Sequence, residues 1–364
     1  MLDPSSLYEL TPGADELMAG SRPVLIVQLE GFIDAGQAGR LFTEHLLEHT
    51  EHQVLAEFDH DQLHDYRSRR PMMDYDGNRW SSLETPRLRL HRMIDAQDEP
   101  FLLLTGPEPD VQWERVAAAV IGLIDTFDVR LVVSLTGIPG AVPHTRPVAL
   151  NAHSTDPELV REEQAWFGKA EVQASFSAML EFRLGEQGRT AMGFEAFVPH
   201  YLAQAAFPQA TLTLGQRIAQ TTGLVVPLGP LEEAAASNMA EIVEEVAGSS
   251  EAQEMVGQLE QQYDTLRADR GGIGFPPPSS EDLASVPSAD EIGAAFERFL
   301  AEREDPEDDG QAADGTGTGT ADGTGAEGGT GSSEDATGEA EDGAGEDDDT
   351  AGPSDGASNG PSDQ

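Results

Sequence analysis

Along the first two thirds of the chain, short segments rich in apolar residues alternate with longer amphipathic ones. Each short segment holds five to nine residues and is followed by a polar residue, Gly or Pro, which is typical of strands buried in a sheet. One of them, Leu88–Ile94, alternates apolar and polar residues, which is typical of an edge strand. Seven segments predict strands: 23–29, 53–59, 88–94, 101–105, 130–136, 148–153 and 190–198.

Amphipathic segments between these strands predict helices. Apolar residues recur every three or four positions from Ala35 to Leu46, and again from about Asp110 to Ile124. Asp34 stands directly before the first of these segments, where it can cap a helix. Because a helix follows several of the strands, we expect an α/β, three-layer body. Its sheet is expected to be largely parallel, with helices on both faces.

The pattern changes toward the C-terminal end. Residues 305–364 contain no Val, Ile, Leu, Met, Phe, Tyr or Trp, and they carry 18 of the 67 acidic residues without a Lys or Arg. Such a segment cannot bury enough surface to offset the entropy of ordering it. Three helices are predicted before it, at 232–246, 250–267 and 290–304. The expected domains are an α/β domain at 1–230, a helical extension at 231–304 and a disordered acidic tail at 305–364.

Charge and composition exclude several classes of protein. The 364 residues include 67 acidic and 21 basic ones, for a net charge of −46, and no Cys. Outside residues 305–364, 49 acidic residues still face the 21 basic ones, so repulsion from phosphates argues against nucleic-acid binding. The lack of Cys excludes disulfides, thiol nucleophiles and Cys-ligated metals. No apolar run is long enough to span a membrane, no signal-peptide pattern is present, and we expect a cytoplasmic protein.

The first strand-to-helix loop is one candidate binding element. It runs from Gly31 to Gly39, and free backbone amides at a helix N-terminus can bind an anion there. The loop lacks the Lys of a P-loop, and the carboxylate of Asp34 would repel phosphate. The sequence leaves two interpretations open for Gly31, Asp34 and Gly36. They either form a capped turn or line part of a pocket.

Two further candidates follow later strands. His144 and Arg146 come after the strand at 130–136, and His200 comes directly after the strand at 190–198. Ligand sites form at the carboxyl ends of strands in such folds, so these side chains can serve as acid, base or anion binder. The alternative is that each is a hydrogen-bonded structural residue. The Arg-rich run at 65–71 likewise either binds a carboxylate or pairs with the chain's own acidic groups.

Four motifs together resemble one known family. They are the loop that starts at Gly31 with its preceding strand, Gly106–Asp110 with Trp113, Val142–Pro147, and Val198–Leu202. In this order they resemble the proteasome assembly chaperone 2 family, in the form found in actinobacteria, over roughly residues 20–270. The resemblance implies a three-layer α/β fold related to purine nucleoside phosphorylases, proteasome subunits as partners, and no catalytic residues to carry over.

The sequence therefore favours a non-catalytic, cytoplasmic binding protein that acts on the assembly of a protein complex as a homo-oligomer, with a trimer expected. The alternative is a small-molecule enzyme, a hydrolase or a nucleoside-type transferase, with a pocket near Asp34, His144 and His200. No nucleophile, base and orienting group form a complete set in the sequence. Neither a metal nor a cofactor is predicted.

Overall fold

The computed structural model describes residues 2–163, 169 and 171–268. The predicted helix at 290–304 and the acidic tail at 305–364 lie outside these residues. The strands are β1 (Tyr8–Leu10), β2 (Val24–Glu30), β3 (Glu51–Phe58), β4 (Met72–Asp76), β5 (Arg79–Glu84), β6 (Arg89–Ile94), β7 (Pro100–Pro107), β8 (Leu131–Gly140), β9 (Leu150–Ser154) and β10 (Ala191–Pro199). The helices are α1 (Ala14–Met18), α2 (Ala38–His49), α3 (Trp113–Thr126), α4 (Phe176–Glu186), α5 (Pro208–Thr222), α6 (Gly229–Ala247) and α7 (Ser250–Ala268).

Eight strands form one mixed sheet in the order β1-β3-β6-β7-β2-β8-β10-β9. The four central strands, β7, β2, β8 and β10, are parallel, and the strands on either side pair antiparallel. The prediction that Leu88–Ile94 is an edge strand is wrong, because β6 lies between β3 and β7. One of its polar residues, Arg89, is accommodated inside the sheet by an ion pair with Glu57 of the neighbouring β3.

Helices cover both faces of this sheet, so the predicted three-layer fold is confirmed. One core forms where α1, α3 and α4 pack on one face, and it includes Leu25 and Val27 of β2. A second core forms where α2, α5 and α6 pack on the other face, and it includes Val24 and Ile26 of the same strand. Because neighbouring residues of a strand point to opposite faces, an uninterrupted apolar run such as 24–27 of β2 is buried on both sides.

The two last helices follow the predicted pattern. Leu231 and Ile242 of α6 join the second core, and Tyr263 of α7 packs against Phe197 and Val142 near the carboxyl ends of β10 and β8. Among the described residues, no helix is both long and apolar enough to cross a lipid bilayer. The proposed domain boundaries themselves stay a prediction.

Strands β4 and β5 form a separate two-stranded hairpin that the strand pattern did not reveal. Every residue of both strands is exposed, including Met72 at 73% and Trp80 at 64%. Tyr75 and Trp80 stack edge to face with ring centroids 5.0 Å apart. An isolated hairpin is marginally stable in water. In a single chain the large apolar side chains of this hairpin are exposed to solvent, and such apolar patches are typical of interaction surfaces.

Acid should destabilise the fold through His91, which lies on β6 and is almost fully buried. Burial, with smaller contributions from the charges of His52 and Arg89, lowers the pKa of His91 to about 4. The unfolded chain binds this proton near pH 6.5, so stability is complete above that pH and falls as the pH drops toward 4. We expect the free energy of unfolding, measured by urea denaturation, to fall by about 3 kcal/mol between pH 6.5 and pH 4.

The matched variant is His91→Leu, which keeps a side chain of similar volume but cannot bind the proton. Its unfolding free energy should change less than that of the wild type between pH 6.5 and 4, by about the same 3 kcal/mol. If the unfolding free energies of the two proteins changed equally with pH, His91 would not be the group responsible.

Candidate functional site

Asp34 lies just past the end of β2 and ties two elements together. Its carboxylate accepts hydrogen bonds from the backbone N–H groups of Gly39 and Arg40 in the first turn of α2, each at 2.9 Å. It also accepts one from the backbone N–H of Gly137 on β8, at 2.9 Å. The carboxylate thus caps α2, and it has three backbone donors within the fold rather than a ligand.

Gly36 forms a close backbone junction. Its φ of +67° is in the left-handed region, and a Cβ there would lie 2.9 Å from the Cβ of Phe207 and 3.1 Å from Val198. Its N–H donates to the carbonyl of Ala203 at 2.8 Å, and its carbonyl accepts from the N–H of Phe207 at 2.9 Å. Gly36 is needed here for packing against the loop before α5.

Gly31 directly follows β2, whose last residue, Glu30, pairs with Pro107 at the end of β7. A Cβ on it would lie 2.7 Å from the Cβ of Glu108 and 3.0 Å from Nη2 of Arg69. Arg69 donates to the carbonyl of Glu30 at 3.2 Å and pairs with Asp110 at 3.4 Å. This Arg of the 65–71 run therefore pairs with the chain's own groups.

His144 is buried, and Tyr201 is its main partner. The Tyr201 hydroxyl accepts from the backbone N–H of His144 at 3.0 Å and lies 2.7 Å from the ring Nδ1. Burial lowers the pKa of His144 against a smaller opposing effect of Glu260, and burial raises the pKa of Tyr201. His200 is exposed and contacts the same Tyr201 ring, with centroids 5.4 Å apart.

Arg146 is bound by α7. Its guanidinium donates to Glu260 at 3.0 Å and to Asp264 at 2.9 and 2.7 Å. The hydrogen bond to Asp264, followed by the charges of both carboxylates, raises the pKa of Arg146. The Tyr263 hydroxyl on the same helix donates to the carbonyl of Pro147 at 3.2 Å. These contacts fasten α7 to the loop after β8.

His144 and His200 are brought together through Tyr201, which the sequence analysis did not single out, and Arg146 binds Glu260, whose charge also acts on His144. Gly36 packs against Val198 and bonds to Ala203, on either side of His200. Asp34 bonds to α2 and β8, and Gly31 lies beside Glu108. A single pocket formed by all six residues stays a prediction. The carboxylate of Asp34, the guanidinium of Arg146 and the ring of His144 each have partners within the fold. Across residues 2–163 and 171–268, no cluster of His, Asp and Glu side chains has the geometry to hold a metal ion.

Removing the Tyr201 hydroxyl should destabilise the protein. Tyr201→Phe leaves the buried N–H and ring nitrogen of His144 without their partner, so we expect a loss of about 1–2 kcal/mol. In a body of this size that corresponds to a fall in Tm of about 2–8 °C. Tyr75→Phe, on the exposed hairpin, is the matched control and should leave the Tm unchanged. Equal Tm values for the two variants would show that the Tyr201 hydroxyl contributes nothing to stability.

Comparisons with known proteins agree with this architecture. The sequence model of the PAC2 family matches residues 28–247, a span that contains all six candidate residues. The chain belongs to the PAC2 family. A search of the curated proteins found no match.

Three solved structures of proteins from Mycobacterium tuberculosis and Corynebacterium glutamicum are similar to this one. A Mycobacterium tuberculosis protein of unknown function is 41% identical with a TM-score of 0.69, and the match covers 72% of this chain and 90% of that one. A Corynebacterium glutamicum protein of unknown function is 38% identical with a TM-score of 0.68, over 72% of this chain and 99% of that one. A Mycobacterium tuberculosis proteasome-assembly chaperone homologue is 27% identical with a TM-score of 0.60, over 64% of this chain and 99% of that one.

Proposed function

We propose that this PAC2-family chain is a non-catalytic, cytoplasmic binding protein that assists the assembly of a protein complex, with proteasome subunits as its partners. The relative described as a proteasome-assembly chaperone homologue supports the choice of partner. The observation that carries the binding role is the contrast between two regions. The polar groups of the candidate site are paired within the fold, whereas the β4–β5 hairpin exposes large apolar side chains.

The hairpin also supports the proposal that the chain is a homo-oligomer, with a trimer as the expected form. Its exposed apolar residues lie on a projecting pair of strands, where a second copy can cover them. They are Met72, Met73, Tyr75, Trp80 and Leu83. Aromatic residues and Met are enriched at interfaces between proteins because they bury large areas at a small cost in entropy.

Charge favours a second copy of this chain as the occupant. The acidic residues outnumber the basic ones both in residues 1–304 and in residues 305–364, so most surfaces of two copies repel each other. The hairpin and the run before it are different, since Arg67 and Arg79 have exposed side chains, each 3.9 Å from its nearest acidic group. These loosely held guanidinium groups can pair with the acidic surface of the next copy.

Assembly kinetics test the proposed function. Proteasome α and β subunits of Mycobacterium tuberculosis, the organism of two of the relatives, are mixed with and without this protein, and the core particle formed is followed by native gel electrophoresis. We expect faster or more complete assembly with the protein present. A Tyr201→Phe variant should behave like the wild type, because that hydroxyl acts only on stability. Unchanged assembly across a range of protein concentrations would contradict the choice of partner.

A further inference from the structure

Two sulfur atoms lie side by side in sequence on the exposed β4–β5 hairpin. The chain has nine Met and no Cys, so thioethers are its only sulfur groups. Met72 and Met73 begin β4, and they are 73% and 44% exposed. Oxidation depends on access from solvent, so among the described methionines these two are the first that an oxidant reaches. The others are buried or half-buried; they are Met18, Met93, Met179, Met192, Met239 and Met255.

The two thioethers lie on different faces of the hairpin. Neighbouring residues of a strand point to opposite faces, so the side chains of Met72 and Met73 leave β4 on different sides. In the register with β5, Met72 is opposite Glu84 and Met73 is opposite Leu83. A second copy that covers either face at this end of the hairpin therefore contacts a thioether.

We propose that Met72 and Met73 form a reversible modification site, where a hydroperoxide converts both thioethers into sulfoxides and thereby prevents the chain from associating with a second copy. This inference rests on the proposed homo-oligomer, in which a second copy covers the hairpin. In a free chain both sulfurs are accessible, and in the oligomer the second copy shields them. Association therefore protects the thioethers, and their oxidation opposes association.

The modification is the transfer of one oxygen atom. A lone pair of the sulfur attacks one peroxide oxygen, the O–O bond breaks as the S–O bond forms, and the other oxygen takes up the proton and leaves as water or an alcohol. The sulfur loses two electrons, and the peroxide gains them. A methionine sulfoxide reductase reverses the step: two thiols become a disulfide, and the oxygen leaves as water.

Sulfoxides make the hairpin less suited to an apolar interface. Met is common at binding surfaces because it is flexible and apolar, and oxidation gives it a polar S–O group. The side chains opposite the two methionines, Glu84 and Leu83, offer the new oxygens no hydrogen-bond donor at neutral pH. A polar group that is buried without a donor weakens association about tenfold, so two such groups should weaken it about a hundredfold.

Peptide mass spectrometry of the full chain after treatment with hydrogen peroxide tests which methionines react. In a dilute solution of free chains, Met72 and Met73 should be oxidised at least about tenfold faster than Met93, which is completely buried. At concentrations where the protein is an oligomer, oxidation of Met72 and Met73 should slow about tenfold, whereas the rate for Met93 should stay unchanged.

Light scattering of the oxidised protein tests the effect on association. At a protein concentration about tenfold above the dissociation midpoint, oxidation of Met72 and Met73 should lower the mass to that of one chain, and a methionine sulfoxide reductase with a dithiol should restore it. The double variant Met72→Leu, Met73→Leu keeps apolar side chains of similar volume and should retain its oligomeric mass in peroxide. The matched control is the double variant Met179→Leu, Met239→Leu outside the hairpin, which should dissociate in peroxide as the wild type does.

The outcomes separate this site from the oligomer on which it depends. An oligomer that keeps its mass although Met72 and Met73 are fully oxidised would overturn the modification site alone. Dissociation of the Met72→Leu, Met73→Leu variant in peroxide would do the same, and so would equal oxidation rates for Met72, Met73 and Met93 in the free chain. A protein that is a monomer at every concentration before peroxide is added would remove the proposed homo-oligomer and this inference together.

Discussion

Replacement of Met72, Tyr75 and Trp80 by Ser should convert the proposed trimer into a monomer. All three side chains are exposed in the single chain, so the substitutions remove the three most exposed of the hairpin's five apolar side chains without disturbing either core. Each large apolar side chain contributes about 1.5–3 kcal/mol when it is buried. Light scattering should show the mass fall about threefold, to the 38.9 kDa of one chain.

The matched control is Phe182→Ser on α4. Phe182 is exposed to a similar extent, at 61%, but lies outside the hairpin, so its loss should leave the oligomer intact. A wild-type protein that is already a monomer at micromolar concentration would remove the claim of self-association. A variant that keeps the mass of the wild type would show that the interface lies elsewhere.

Removal of the Asp34 carboxylate should cause the largest loss of stability among single substitutions at the candidate site. Asp34→Ala leaves three backbone N–H groups without their acceptor, two at the start of α2 and one on β8. Hydrogen bonds to a charged acceptor contribute about 1.5 kcal/mol each at the lower end, so we expect a loss of about 4.5 kcal/mol. The Tm should then fall by about 9–18 °C, measured by circular dichroism.

A graded comparison shows whether the hydrogen bonds are responsible. Asp34→Asn keeps one carbonyl acceptor and should lose about half as much stability as Asp34→Ala. Glu244→Ala, on the exposed face of α6, removes a charge that forms no ion pair with any described residue and should change the Tm by less than about 2 °C. Equal Tm values for Asp34→Ala and the wild type would show that another group caps α2.

The pattern of apolar and polar residues along the chain predicted the sheet and the helix layers on its two faces. The strands β2, β7 and β8 each contain an apolar run of at least three residues, and such runs favour a place in the middle of a sheet with helices on both faces. The position of β6 could not be predicted the same way. Its alternation of polar and apolar residues fits an edge, and the ion pair between Arg89 and Glu57 that allows an internal position depends on a strand more than 30 residues earlier.

The candidate site was less predictable, because its chemistry depends on partners that are distant in sequence. The capping role of Asp34 followed from its place before a helix, but its bond to Gly137 did not. Nothing near Arg146 indicates that Glu260 and Asp264 bind it from α7. The hairpin was missed because its apolar residues are exposed, which a search for buried strands does not reveal.

Sedimentation velocity of this protein mixed with purified proteasome α subunits tests the central claim most directly. The proposed role as an assembly chaperone predicts a new, faster-sedimenting species that contains both proteins, and this species should disappear when β subunits complete the core particle. Two independent boundaries at every mixing ratio, each at the position of the separate protein, would contradict it.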